Sequence, residues 1–170
     1  MIKDVYKEYQ IMKENPHMRK VLIWVAVLCF FAGVCEELHA YRKATSADAK
    51  AMAEKAAQYL TTNGKEKAFE QFGRSQGQFR TDDLYVFVLN FNGEMLAHGG
   101  NPKMVGKTDA EWTDPDGKPF VRKIIDVAKA EGNGWVEYRW TNPATKKVHQ
   151  KRTYFVKTGD FIVCCGAYMD

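Results

Sequence analysis

From Gly134 onward the chain reads Gly-Trp-Val-Glu-Tyr-Arg-Trp-Thr-Asn-Pro, then Lys151-Arg152-Thr153-Tyr154, then Gly166-Ala167-Tyr168. This stretch gathers a pocket's worth of aromatic rings and one cation, Lys151, that strand alternation can turn inward. Such a set suits binding better than bond-making, because rings supply apolar walls while a few polar groups orient a small molecule. Residues for covalent chemistry are scarce. There is no His-Glu-x-x-His pair and no glycine loop of phosphate-binding spacing, and beyond Ala40 the only histidines are His98 and His149. An enzyme is not expected. Cys164 and Cys165 are the remaining candidates, for a thiol-dependent redox protein, but as strand neighbours they point to opposite faces. A bridge between adjacent residues also falls below the usual Cα separation of a disulfide, so two small buried hydrophobes are the plainer reading. No metal or cofactor is expected either. Asp109, Glu111, Asp114 and Asp116 lack the alternating ligand positions and closing Glu of a calcium loop.

The elements that must position these residues can be read from periodicity. Trp135 to Trp140, Val148 to Val156 and Phe161 to Ala167 are β-branched and aromatic runs separated by the turn dipeptides Asn142-Pro143 and Gly159-Asp160, which predicts consecutive antiparallel strands. Leu84 to Phe91, Asn92-Gly93 and Glu94 to His98 form a hairpin signal. Gly99-Gly100-Asn101-Pro102 ends that hairpin and opens an irregular excursion to Pro119 that holds Trp112, long enough to suggest a loop over a binding site. Phe120 to Ala130 carries helical spacing up to Gly132. Upstream, Thr45 and Asp48 make a capping-box start, and Met52, Ala56, Tyr59 and Leu60 continue a long helix to Asn63-Gly64. A short helix spans Lys65 to Phe72.

The chain has 170 residues and a formal net charge of +4, with lysines interspersed among acidic residues. That dispersal excludes a nucleic-acid stripe. Residues 1–40 read as an export segment: Val21 to Cys35 is uncharged and apolar, with Arg19-Lys20 before it and Glu36-Glu37 after it. A start at Met18 would give a normal basic leader. The segment can be cleaved near Ala40, lipidated at Cys35, or kept as a membrane tether through Val21 to Cys35, and each outcome places residues 41–170 outside the inner membrane, in the periplasm.

An α+β domain follows, with the long N-terminal helix packed on a five-stranded antiparallel sheet of PAS-like type. The ordered blocks Lys67-Ala68-Phe69, Leu84-Tyr85-Val86-Phe87-Val88, Asn92-Gly93, Ala97-His98, Val105-Gly106-Lys107, Asp116-Gly117-Lys118, Gly134-Trp135-Val136-Glu137-Tyr138, Pro143, Lys151, Tyr154 and Gly166-Ala167-Tyr168 resemble the single Cache family of bacterial extracytoplasmic sensor domains, particularly its second type. The resemblance implies a pocket on the sheet, roofed by the Gly99 to Lys118 loop, for a small organic acid such as acetate, propionate, pyruvate or lactate. It also implies a place in signal transduction or chemotaxis. With no output segment before Asp170, signalling is expected to pass through a separate membrane receptor or histidine kinase. The competing expectation is an interaction domain with a vestigial pocket.

A carboxylate held away from water needs a paired charge and hydrogen bonds. Lys151 is the candidate charge, with tyrosine hydroxyls and a histidine ring completing the bonds. Alternation puts Val136, Tyr138 and Trp140 on one face, and sets His149, Lys151 and Thr153 opposite Gln150, Arg152 and Tyr154. Lys151, Tyr138 and His98 are therefore the first candidates for ligand contact, followed by Trp112, Tyr85 and Tyr154. Lys151 and Tyr154 share a pocket only if their strand is bulged.

Overall fold

The computed structural model describes residues 43–169, which lie within one compact unit. The export segment, with Val21 to Cys35 and Cys35 itself, lies outside the described residues. Among those that are described, no helix is long and apolar enough to cross a membrane.

The described part begins with helix α1, Ser46–Asn63, whose capping box is formed reciprocally: Thr45 Oγ1 accepts from Asp48 N and the Asp48 carboxylate accepts from Thr45 N. Helix α2, Lys65–Gly73, follows at once because Gly64, at φ 78°, turns the chain between the two helices. Strands β1 (Arg80–Thr81), β2 (Leu84–Asn90) and β3 (Met95–His98) come next, then the long loop and helix α3, Phe120–Glu131. Strands β4 (Asn133–Thr141), β5 (Val148–Thr158) and β6 (Phe161–Tyr168) complete the fold. All pairings are antiparallel, in the order β1-β2-β6-β5-β4, with β3 also on β2.

The sheet thus has six strands rather than five. The extra one, β1, is two residues long and returns through Asp82-Asp83, with Asp82 at φ 41°. A strand this short leaves no periodicity to read.

Both faces of the sheet are covered. Helices α1 and α2 lie on one, packed on Val86, Val88, Tyr154, Val163 and Cys165; α3 lies on the other, packed among Phe87, Leu89, Val136, Tyr138 and Phe155. A strand buried on both faces has no solvent side, which is why β2 and β6 read as unbroken apolar runs while the outer strand β4 alternates.

The loop from Gly99 to Pro119 is tied to both outer strands. Met95 N donates to Lys107 O and Gly106 N donates to Met95 O on the β3 side. On the β4 side, Asp114 Oδ2 accepts from Arg139 N at 2.9 Å, and Asp116 pairs with Arg139 at 3.0 Å. Met104, Ala110 and Trp112 pack against the α3-side cluster, so the loop crosses that face as a roof. Gly93 is its counterpart below. It has φ 83°, and a Cβ there would stand 2.8 Å from the Ala110 backbone. Gly93→Ala is expected to cost about 1–3 kcal/mol, through the left-handed backbone and the displaced loop, read as a lower urea midpoint with unchanged slope.

Candidate functional site

The site is built by register. Tyr138 on β4 and Tyr168 on β6 flank Lys151 directly across the ladder, and Thr153 flanks Gly166. The β4–β5 ladder runs from Asn133 to Thr141 without a bulge. Lys151 and Tyr138 therefore share the α3 face, and Tyr154 turns to the other. There its hydroxyl donates to Asn133 Oδ1 at 3.1 Å and its ring packs on Trp135. Of the six candidates the structure brings Lys151, Tyr138, Tyr85 and His98 to one face and sets Trp112 in the roof above them. Tyr154 stands apart, because an unbulged strand cannot turn residues 151 and 154 the same way.

Lys151 is fully buried, and its Nζ has no hydrogen-bond partner among the described residues. What surrounds it is aromatic: Nζ stands 3.9 Å from the Tyr85 ring centroid, 5.0 Å from Tyr168 and 5.6 Å from Phe87. Ring faces attract a cation, yet they replace only part of the lost water. Burial accordingly pulls the Lys151 amine down from 10.5 to about 7, against the opposing pull of Cys165, Cys164 and Asp83. The lysine reaches this position over Gly166, where an added Cβ would stand 2.6 Å from Lys151 Cε and would also strike Thr153 Oγ1.

The polar groups around the amine are mostly committed. Tyr168 donates to Thr141 O at 2.7 Å, with the Tyr85 hydroxyl 3.5 Å away. Thr153 Oγ1 donates to the Tyr138 hydroxyl at 3.0 Å, and the Tyr138 ring stacks on Phe120. Burial pushes the Tyr85, Tyr138 and Tyr168 hydroxyls up, so all three keep their protons. His98 Nδ1 accepts from Gly100 N at 3.1 Å and Asn101 N at 2.8 Å. That assigns the ring proton to Nε2, which is left as a donor. Burial, followed by the charge of Lys151, holds His98 down at about 3, so it stays neutral.

An open cleft of about 420 Å³ leads to this cluster, lined by Tyr85, His98, Gly100, Trp140 and Pro143 among others. Lys151 does not line it. Tyr85 does, and the same ring faces Lys151 Nζ, so one tyrosine is the wall between cleft and amine. Gly100 lets the Tyr85 ring lie against the backbone at the cleft, since a Cβ there would meet the ring at 2.8 Å. Trp112 lines a neighbouring cleft that shares Trp140.

Several members of the site escape a reading by sequence. Tyr168 and Gly166 can be assigned to the Lys151 face only once β5 and β6 are in register. Arg80, which donates to Gly99 O and acts on Tyr85 and His98, comes from the unpredicted β1. Asp83 is buried and accepts from Asn142 Nδ2 at 3.5 Å. Two other chemistries find no support in the geometry. Gly73-Arg74-Ser75-Gln76-Gly77 spells a Gly-x-Ser-x-Gly string, but it leaves the end of a helix and Ser75 is exposed, unlike the strand-to-helix elbow that activates a serine. Cys164 and Cys165 are unbridged and fully buried, and burial raises both thiols, Cys165 to about 12, so neither carries thiolate for exchange. Among the described residues no three His, Cys, Asp or Glu side chains gather as metal ligands.

The family model described as single Cache domain 2 matches residues 33–170. The sensor histidine kinase MctS of Rhizobium johnstonii is 31% identical over 90 residues, which are 52% of this chain and 19% of that protein. The methyl-accepting chemotaxis protein McpP of Pseudomonas putida is 28% identical over 90 residues, 52% of this chain and 16% of that protein. The chain thus spans about a fifth or less of the length of these relatives. A solved structure described as the structural basis for carboxylic acid recognition by a Cache chemosensory domain superposes with a TM-score of 0.57 at 21% identity, covering 71% of this chain and 86% of that one.

The depressed lysine has a consequence for stability. Between pH about 7 and 10.5 the unfolded chain binds a proton at Lys151 that the folded protein does not. Burial of the charge therefore destabilises the fold in full below pH about 7, and the cost is relieved as pH rises. Lys151→Met is expected to be more stable than the parent at pH about 6, by roughly a few kcal/mol, with the gap closing by about 1.4 kcal/mol per pH unit above neutrality. Paired urea titrations across that range check it.

Proposed function

We propose that this chain, which belongs to the single Cache domain 2 family, is an extracytoplasmic sensor module that binds a small organic acid with its carboxylate on Lys151. The observation that carries the reading is the buried amine with no hydrogen-bond partner among the described residues. A lysine placed there costs stability in the unliganded fold, and a carboxylate is the group that would recover the cost by charge-assisted hydrogen bonding. The acids best suited are small, of the acetate, propionate, pyruvate or lactate type. Tyr85, Tyr138 and His98 would complete the hydrogen bonds, with Trp112 in the roof; Tyr154 has no part. The acid would enter by the cleft at Trp140 and Pro143, and Tyr85 would swing to admit it.

Two kinds of likeness support this reading. The relatives are a sensor histidine kinase and a chemoreceptor, and a structural neighbour is described by its recognition of carboxylic acids. Output through a membrane receptor or histidine kinase is part of the proposal, and the kinds of protein the relatives are support it.

A thermal-shift series with short-chain mono- and dicarboxylates tests it. An acid that binds only the native state adds about 2.7 kcal/mol at a concentration of about 100 times its Kd, which is expected as a rise of several degrees in Tm. Lys151→Met should remove that rise while remaining folded. No shift with any acid, or an undiminished shift in the Met variant, would refute the assignment.

A further inference from the structure

Resting on that reading, we infer that above neutrality the module takes up its ligand as the net neutral acid, a carboxylate together with one proton, rather than as the carboxylate alone. In that range the quantity it senses is the product of anion and proton concentrations, which sets the chemical potential of the undissociated acid.

The argument starts from what the amine can and cannot do before a ligand arrives. Nζ has no exposed surface and no hydrogen-bond acceptor among the described residues, and the ring faces of Tyr85, Tyr168 and Phe87 stand within 6 Å of it. An ammonium so placed keeps little of its hydration energy, whereas a neutral amine loses much less. Burial accordingly draws its proton affinity down to about 7. A carboxylate arriving at Nζ reverses the balance: opposite charge and a charge-assisted hydrogen bond both favour the ammonium. Above neutrality the amine must therefore acquire a proton as the anion binds. No bond is made or broken beyond N–H formation, and the proton comes from solvent.

The neighbours do not supply an alternative proton donor or acceptor in this range. From β2, Tyr85 is held protonated by burial, and so are Tyr138 from β4 and Tyr168 from β6. Cys164 and Cys165 on β6 are likewise pushed up. His98 on β3 is pushed down to about 3 and stays neutral throughout. Asp83, before β2, acts on Lys151 and favours its charged form. Arg80 on β1 acts on His98 and Tyr85. Small carboxylic acids are themselves ionised across this range, near or above about pH 6. Of these groups Lys151 is the one whose protonation changes on binding; His149, on the same strand with its ring against Tyr168 at 6.4 Å, is retained in the Lys151→Arg variant, which separates its contribution.

Calorimetric titration of the unmodified protein with acetate, propionate, pyruvate and lactate tests this, at pH about 6 and about 8.5, in two buffers of different ionisation enthalpy. The expected result for the acid that binds is close to no proton uptake at the lower pH, and about one proton per ligand at the higher, with affinity falling by about tenfold per pH unit above neutrality. Lys151→Arg, which cannot give up its proton, should bind without uptake and without that pH dependence if its bulk is accommodated. The parent measurement does not depend on the variant. Binding with the same Kd and no proton uptake at both pH values overturns the inference and leaves the carboxylate site standing. No binding by any of the acids at either pH overturns both.

Discussion

Burying Lys151 costs this domain free energy, because the amine loses water and gains no hydrogen bond among the described residues in return, only the faces of aromatic rings and the more distant pull of Asp83 and the two cysteines. A core of alternating strands offers many ways to avoid that. A methionine would fill the same volume with no charge to desolvate. The lysine therefore acts as a local conflict between folding and placement, of the kind that marks a functional position. Its neighbours are arranged to permit it. Gly166 leaves room for the lysine stem, and three rings from β2 and β6 present their faces to the ammonium. Each of these is a feature of register, and register is held by long ladders on both sides of β5.

The same ladders explain the division of labour between the two faces. One side is closed by α1 and α2 over small residues, Ala49, Ala53, Ala56 and Ala68, which let the helices lie close to the sheet. The other is closed in part by α3 and in part by the Gly99 to Pro119 roof, and a roof is easier to open than a helix. Asp114 sets how firmly it is shut. Burial alone would raise its carboxyl, but backbone N–H groups of Arg139, Lys118 and Asp116 bond the charged form and hold it below the usual range. The roof is thus pinned at its far end by Asp114 together with the Asp116–Arg139 and Glu111–Arg122 pairs, while the Gly99 end stays beside Tyr85 and the cleft.

Much of this was legible in the residues. The capping box at Thr45, the Asn92-Gly93 turn and the aromatic strands each announce an element through local chemistry, and they are where the residues placed them. Alternation along β4 and β5 correctly separated Lys151 and Tyr138 from Tyr154, since a strand without a bulge leaves no other choice. What could not be read is whatever depends on a partner strand. Tyr168 joins the Lys151 face through β5–β6 pairing, and Arg80 arrives on a strand two residues long. The buried state of Lys151 also lies beyond the sequence, because a strand lysine surrounded by polar neighbours reads equally well as a solvated one. The blocks shared with the single Cache domain 2 family supplied the direction that periodicity could not.

The most direct measurement is the titration of the Lys151 side chain itself, followed by nuclear magnetic resonance at its ε-methylene in the protein with and without a bound acid. The expected result is a midpoint near 7 in the unliganded protein that moves upward when the carboxylate is present. A midpoint near the ordinary 10.5 in both states would contradict the placement of a desolvated amine at the centre of the site.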